Sequence, residues 1–251
     1  MSAQINDILI ICNPGDLQNF QELLGDGQHL GLKISYLVQM KPRGIAEAFL
    51  IATDFLNSEP CALILGDNLF HGPGLGRQLA KFHDVQGAQV FGYHVQDPTS
   101  YGVIEVSKDG APISLEEKPI KPKSSFAIPG LYFFDSHVAT YAAEIEPSPR
   151  GELEITDVLK KYLEAGTLKV EIISRGSAWL DTGTFDSLLA ASNYVQVIEH
   201  RQGYKIGCPE EIAFLNKWIS VENLDNLIKK IGSNPYTDYL KSLAYNRTHE
   251  N

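Results

Sequence analysis

The chain has 251 residues, of which 43% are hydrophobic and 21% charged, and a formal net charge of −10. It is long enough to bury a full core without disulfides. Its acidity argues against bulk attraction to nucleic acid or an anionic membrane. No stretch approaches the roughly 20 apolar residues of a membrane-spanning helix, and no basic segment leads into an apolar one at the start, so no signal peptide is expected. Cys12, Cys61 and Cys208 are odd in number and far apart, the pattern of reduced thiols in a cytoplasmic protein.

From Asp7 to Val95 short apolar runs alternate with helical patterns. Ile8-Leu9-Ile10-Ile11 reads as a buried strand, Asp16 to Leu24 as a helix closed by Gly25, and Leu32 to Val38 as a second strand. Gly44 to Asn57 reads as a helix with Ile45, Ala48, Phe49 and Ala52 on one face. Cys61 to Leu65 is continuously apolar, as buried parallel strands are. A helix over Leu75–Val85 and a strand over Ala88–Val95 complete the alternation, which predicts an α/β sheet with helices on both faces. Gly102–Val106, Ile113–Glu117 and Phe126–Phe134 follow as strands without helices between them, so the sheet becomes mixed. A helix is expected over Glu152–Ala165, a strand over Leu168–Ile173 and a long amphipathic helix over Phe185–Glu199. Beyond Arg201 the text is helical (Glu210–Asn216, Val221–Lys230, Tyr236–Ala244), which divides the chain into 1–200 and 201–251.

Ligands of open α/β sheets bind outside the carboxyl ends of the strands. Asp67 stands there, after Cys61–Leu65, with Gly66 allowing close backbone approach. Asp181 follows the strand-like run Ala178-Trp179-Leu180. Two such aspartates can converge on one Mg²⁺, which takes one or two protein carboxylates and fills its other positions with water and phosphate oxygens. Taken alone, Gly66-Asp67-Asn68 is equally a plain turn, and Asp181 is equally part of the loop that Thr184 caps.

Ser114-Leu115-Glu116-Glu117-Lys118-Pro119 ends a strand with two acids and a base. Alternation sends Glu116 and Lys118 to one face and Glu117 to the other, and Pro119 is expected to hold Lys118 extended. A carboxylate with an ammonium suits a sugar phosphate; a solvated charged edge strand is the plainer alternative. Gln39 carries an amide that both donates and accepts, as a pyrimidine edge requires, and the Gly44 N–H at a helix start can face an anion or a base. Arg150 to Thr156 reads as a mainly structural loop entering a helix. The seven histidines show no metal-ligand spacing, and no G-x-x-x-x-G-K-[ST] loop is present.

In combination these strings resemble the glucose-1-phosphate thymidylyltransferases, within the sugar-nucleotide pyrophosphorylases. The resemblance runs in order through Gln39–Ala46, Leu65–Asn68, Phe91–Tyr93, Tyr101–Val103, Ser114–Pro119, Gly130–Phe133, Arg150–Thr156, Trp179–Thr184, Arg201–Gly203 and Glu210–Ala213. It implies a Rossmann-like nucleotidyltransferase fold and a Mg²⁺-dependent reaction of dTTP with glucose 1-phosphate, giving dTDP-glucose and pyrophosphate. By the family pattern Asp67 and Asp181 hold Mg²⁺, and Gln39 and Gly44 contact thymine. Lys118 binds the sugar phosphate, Glu117 and Gly102 the glucose hydroxyls, and Ile128 and Tyr132 line the sugar pocket. The resemblance further implies a homo-oligomer, dimer or tetramer, with a second nucleotide site for feedback control, and assigns 201–251 to oligomerisation or regulation. It starts at the family's second strand. The expectation is therefore that the first βα unit, with its Gly-rich triphosphate loop, is missing, that neighbouring strands lose a partner, and that turnover is in doubt. A sugar-nucleotide-binding or scaffold subunit without catalysis is the alternative.

Overall fold

The apolar run Asp7–Cys12 forms β1, which pairs in parallel with β2 (Lys33–Val38) through the crossover helix α1 (Leu17–Leu24). Gly25 ends α1 at φ 59, a conformation costly for a residue with a Cβ, and the Tyr36 hydroxyl donates to its carbonyl at 2.6 Å. The protein is described by a computed structural model covering residues 1–249.

The single helix expected from Gly44 is two short ones, α2 (Glu47–Ile51) and α3 (Thr53–Leu56). Gly44, at φ 105, is not helical, and the Ala46 N–H is drawn to the Leu153 carbonyl at 3.1 Å instead of to a helix ladder. At the break the Thr53 hydroxyl donates to the Phe49 and Leu50 carbonyls, a back-bond that competes with the helix. The buried face is accordingly Ala46, Glu47, Phe49 and Ala52, while Ile45 is exposed.

Strands β3 (Cys61–Ile64) and β4 (Asn68–His71), helix α4 (Leu75–Leu79) with a 3₁₀ turn at Ala80–Phe82, and strand β5 (Ala88–His94) follow. Next come β6 (Gly102–Val106), β7 (Pro112–Glu117), β8 (Phe126–Ala127) and β9 (Leu131–Phe134). Pro129-Gly130 splits the expected strand over 126–134, since Pro lacks a ladder donor. Helix α5 (Val138–Glu144), unforeseen in the sequence, precedes α6 (Ile155–Glu164), β10 (Leu168–Ile172), β11 (Ala178–Asp181) and α7 (Phe185–Gln202). Helices α8 (Pro209–Leu215), α9 (Val221–Ile231) and α10 (Pro235–His249) complete the described chain.

The main sheet runs β3-β9-β5-β8-β6-β7, with β10 beside β5. It is mixed: β10 lies parallel to β5, while β9 is antiparallel to both β3 and β5, so those two strands run the same way with β9 between them. The expectation of β3 as a strand buried among parallel neighbours is therefore corrected. Its one partner among the described residues is antiparallel β9, and Ile64 is 59% exposed. Likewise, among the described residues, β1 pairs with β2 alone. The remaining edges of β1 and β3 border one cavity of about 900 Å³, lined by Ile8, Leu9, Ile11, Ala62 and Leu63 among others.

The core lies under the main sheet, where Val90, Ile104 and Phe134 meet Val158, Leu159 and Tyr162 of α6. Phe49 stands edge-on to Phe134 at 5.2 Å, and the Tyr162 hydroxyl is anchored on Asp135 at 2.9 Å, so the largest core rings have fixed orientations. The helices beyond residue 200 share a second core with the N-terminal strands, in which Leu30 and Leu32 meet Phe214, Leu224 and Leu240. No helix among the described residues is long and apolar enough to cross a membrane, and the three cysteines are unpaired.

Candidate active site

The two aspartates come together through β4 and β11. These strands pair antiparallel with Asn68 opposite Asp181, and Asp67 immediately precedes Asn68. Thr182 closes the junction, its N–H and hydroxyl donating to the Asp67 carbonyl at 2.8 and 2.9 Å. Asn68 binds three groups. Its Nδ2 donates to Asp67 Oδ1 at 2.7 Å, while its Oδ1 accepts from the Trp179 indole at 2.6 Å and from the Gly130 N–H at 3.0 Å. Asp181 accepts from the Tyr101 hydroxyl at 3.0 Å and from the Gly183 N–H at 2.8 Å.

Gly183 marks the space the carboxylates share. A Cβ placed there would lie 3.1 Å from Asp181 Oδ1 and 3.5 Å from Asp67 Oδ2. Asp67 is exposed and Asp181 half-buried. Among the described residues Asp67 Oδ2 has no hydrogen-bond partner, and no third His, Cys, Asp or Glu completes a metal cluster. That donor set fits Mg²⁺, which keeps water and substrate oxygens in its shell, better than an ion enclosed by protein ligands. Thr184 caps α7 reciprocally with Ser187, so capping falls to Thr184 and leaves Asp181 free for other work.

Gly102, Glu117 and Ile128 pack closely together at a second position. A Cβ on Gly102 would meet Thr156 Cγ2 at 3.1 Å, Glu117 Oε2 at 3.5 Å and Ile128 Cδ1 at 3.7 Å. Gly102 is paired with Glu117 across β6 and β7, and its carbonyl holds the Ile128 N–H at 2.8 Å. Glu117 accepts from the Thr156 hydroxyl at 3.1 Å and lies 3.5 Å from Arg150 Nη2. Burial pushes its carboxyl above the usual range, and nearby Glu154 adds to the rise, against the opposing pull of Thr156, Lys118 and Arg150. Tyr132 is buried beside it. Burial drives the Tyr132 hydroxyl pKa up, and the Glu117 charge adds to that.

Lys118 departs from the extended form expected before Pro119. Its φ is 42, because the strand stops at Glu117 and the Lys118 N–H turns to the Tyr101 carbonyl at 3.1 Å. Its side chain is exposed and makes no ion pair among the described residues, so its ammonium is available to an anion. Of its neighbours, Glu116 reaches Lys123 at 3.3 Å. Arg150–Thr156 is more than a structural lead-in to α6, since Arg150 and Thr156 both touch Glu117. That contact spans 33 and 39 residues, so no local pattern signals it.

At the third position Gln39 follows β2, its N–H held by the Cys12 carbonyl at 2.9 Å. Its side-chain nitrogen donates to Glu47 Oε2 at 2.7 Å and to the Gly44 carbonyl at 3.3 Å. Gly44 is required sterically: at φ 105, a Cβ would lie 2.4 Å from the Leu153 carbonyl oxygen. Its N–H has no partner among the described residues.

A family model described as nucleotidyl transferase matches residues 1–197. A glucose-1-phosphate thymidylyltransferase of Xanthomonas campestris pv. campestris is 51% identical over 245 residues, covering 97% of this chain and 83% of that protein. The enzyme of the same name from Mycobacterium tuberculosis is 48% identical over 243 residues, covering 97% of this chain and 84% of the relative. A solved Bacillus anthracis structure, assigned as a glucose-1-phosphate thymidylyltransferase and determined with sucrose, superposes with a TM-score of 0.69 at 38% identity, over 76% of this chain and 77% of that one. A UDP-glucose pyrophosphorylase with UDP-glucose superposes at 0.66, over 77% of this chain and 82% of that one, and at 22% identity it speaks for the fold alone. The chain belongs to the nucleotidyl transferase family and, within it, to the glucose-1-phosphate thymidylyltransferases.

Proposed function

We propose that this chain acts on dTTP and glucose 1-phosphate, forming dTDP-glucose and releasing pyrophosphate with Mg²⁺ as cofactor. The observation that carries the reading is the shared space at Gly183, bordered by Asp67 Oδ2 and Asp181 Oδ1. When bound there, Mg²⁺ supplies charge neutralisation at the reacting phosphates and at the departing pyrophosphate.

The chain's own residues do the positioning. Asn68, Thr182 and Tyr101 fix the two aspartates before substrate arrives, so little reorganisation remains for the reaction itself. Glu117 accepts from the sugar hydroxyls. Gly102 lets the ring approach the backbone, and Ile128 and Tyr132 supply the apolar wall. Lys118, next to Glu117 and without an ion pair among the described residues, meets the sugar phosphate. Gln39 and the open Gly44 N–H take the base edge. Holding both reactants in one geometry is the largest contribution a site with so little covalent chemistry can make.

The reading extends to a cytoplasmic homo-oligomer, dimer or tetramer, with a second nucleotide site. In its support, the first turns of α7 leave Phe185, Leu188 and Leu189 93%, 50% and 61% exposed. Apolar side chains clustered this way suit burial against a second copy. A pyrophosphate-release assay with dTTP, glucose 1-phosphate and Mg²⁺ tests the activity. Turnover lost in Asp67→Asn is expected, whereas turnover with UTP or CTP but not dTTP would overturn the substrate assignment.

A further inference from the structure

Glu47 lies at the start of α2, 4% exposed, and nothing in the reaction needs a buried acid there. Arg43 Nε donates to its Oε1 at 2.7 Å, and Gln39 Nε2 to its Oε2 at 2.7 Å. Against the upward push of burial, these bonds hold its carboxyl below the usual range, so Glu47 is ionised at neutral pH. An ionised carboxylate accepts and cannot donate. The Gln39 amide therefore has one orientation, with nitrogen toward Glu47 and the Gly44 carbonyl. Its Oε1 has no partner among the described residues. The amide that the sequence offers as both donor and acceptor presents only an acceptor to a base.

We propose that Glu47 is a positioning residue for base selection: it locks Gln39 carbonyl-outward, so the site takes a base that offers a ring N–H, as thymine and uracil do, and rejects cytosine, whose ring nitrogen is a bare acceptor. The inference rests on the assignment of Gln39 to the base edge. Glu47→Gln tests the lock by inverting it. In that variant Arg43 keeps the carbonyl oxygen of the new side chain, so the new amide nitrogen faces Gln39; the Gln39 carbonyl turns inward to meet it and gives up the longer 3.3 Å bond to the Gly44 carbonyl. Gln39 then shows a donor to the base. Glu47→Asp keeps an acceptor-only group and is the control for a merely structural role.

The experiment is isothermal titration calorimetry of the full chain with dTTP and with dCTP in Mg²⁺, for the wild type and both variants, after circular dichroism establishes that each is folded. The wild type is expected to prefer dTTP, Glu47→Asp to keep that preference with weaker binding, and Glu47→Gln to lose about tenfold of the dCTP-to-dTTP ratio of dissociation constants, the effect of roughly one misdirected hydrogen bond. An unchanged ratio in Glu47→Gln, or its loss in a folded Glu47→Asp, overturns the role of Glu47 while leaving the base site standing. Equal binding of dTTP and dCTP by the wild type, unaltered by Gln39→Ala, overturns the base-site assignment and the Glu47 proposal with it.

Discussion

The Trp179 indole N–H donates to Asn68 Oδ1 at 2.6 Å across 111 residues of chain, and the same Asn68 holds Asp67 through its amide nitrogen. One side chain thus ties the strand ahead of Asp181 to the carboxylate that follows β3. Asn68→Ala strands the Trp179 and Gly130 N–H groups. It is expected to cost about 1–3 kcal/mol of stability, read by thermal unfolding, and to weaken Mg²⁺-dependent dTTP binding. Unaltered dTTP affinity in the folded variant would make Asn68 a packing residue alone.

Asp181→Asn keeps the shape of the loop and removes one charge. Mg²⁺-dependent dTTP binding should fall by about tenfold or more, equivalent to roughly 1.4 kcal/mol or more, with only a small change in melting temperature. Calorimetry with and without Mg²⁺ separates this outcome from a simple loop defect, which would weaken both titrations equally.

Glu117 illustrates a site that works against stability. Its folded pKa is raised, chiefly by burial. The folded state therefore holds the proton more tightly than the unfolded chain, and stability from this group is present below the unfolded carboxylate pKa and lost as pH rises through the folded value. Glu117→Gln should accordingly melt higher than wild type at pH 7, with the difference shrinking toward about pH 4, near the ordinary carboxylate pKa, while glucose 1-phosphate binding weakens. A difference in melting temperature that grows toward acid pH would contradict the sign.

Gly44→Ala tests the approach of the base loop to residue 153. The substitution demands both a φ of 105 and a contact of 2.4 Å with backbone. Backbone cannot rotate away, so destabilisation beyond about 2 kcal/mol is expected. A melting temperature within about 2 °C of wild type, well under the shift such a loss produces, would show that the loop relaxes freely.

The exposed apolar turns of α7 carry the oligomer prediction. Leu189→Asp, tested by light scattering after size exclusion, should dissociate the assembly with secondary structure retained. A wild-type monomer at micromolar concentration would contradict it.

Much of this molecule is legible in its sequence for identifiable reasons. β1 is a compact apolar run bounded by turn residues, β10 alternates apolar and charged residues, and α7 begins at a capping box and ends at Gly203 with φ 74. Asp67, Asp181 and Glu117 stand at or beside strand ends, where position and turn chemistry mark them as candidates, whereas Gly102 and Ile128 are singled out only by the family resemblance. What the sequence conceals depends on distant partners. The antiparallel insertion of β9 between β3 and β5 follows from pairing choices that apolar runs do not encode. The contacts of Arg150 and Thr156 with Glu117 and of Trp179 with Asn68 join segments dozens of residues apart, and Thr53 interrupts a helix whose periodicity continues through it.

The proposed activity requires one cation between two aspartates. Crystals grown with Mn²⁺ in place of Mg²⁺ and with dTTP allow the ion to be located by anomalous scattering. An anomalous peak at about 2.1–2.2 Å from a carboxylate oxygen of both Asp67 and Asp181, as for an octahedral divalent ion, is the predicted result. Bound dTTP with no ion at that position, or an ion coordinated elsewhere, would contradict it.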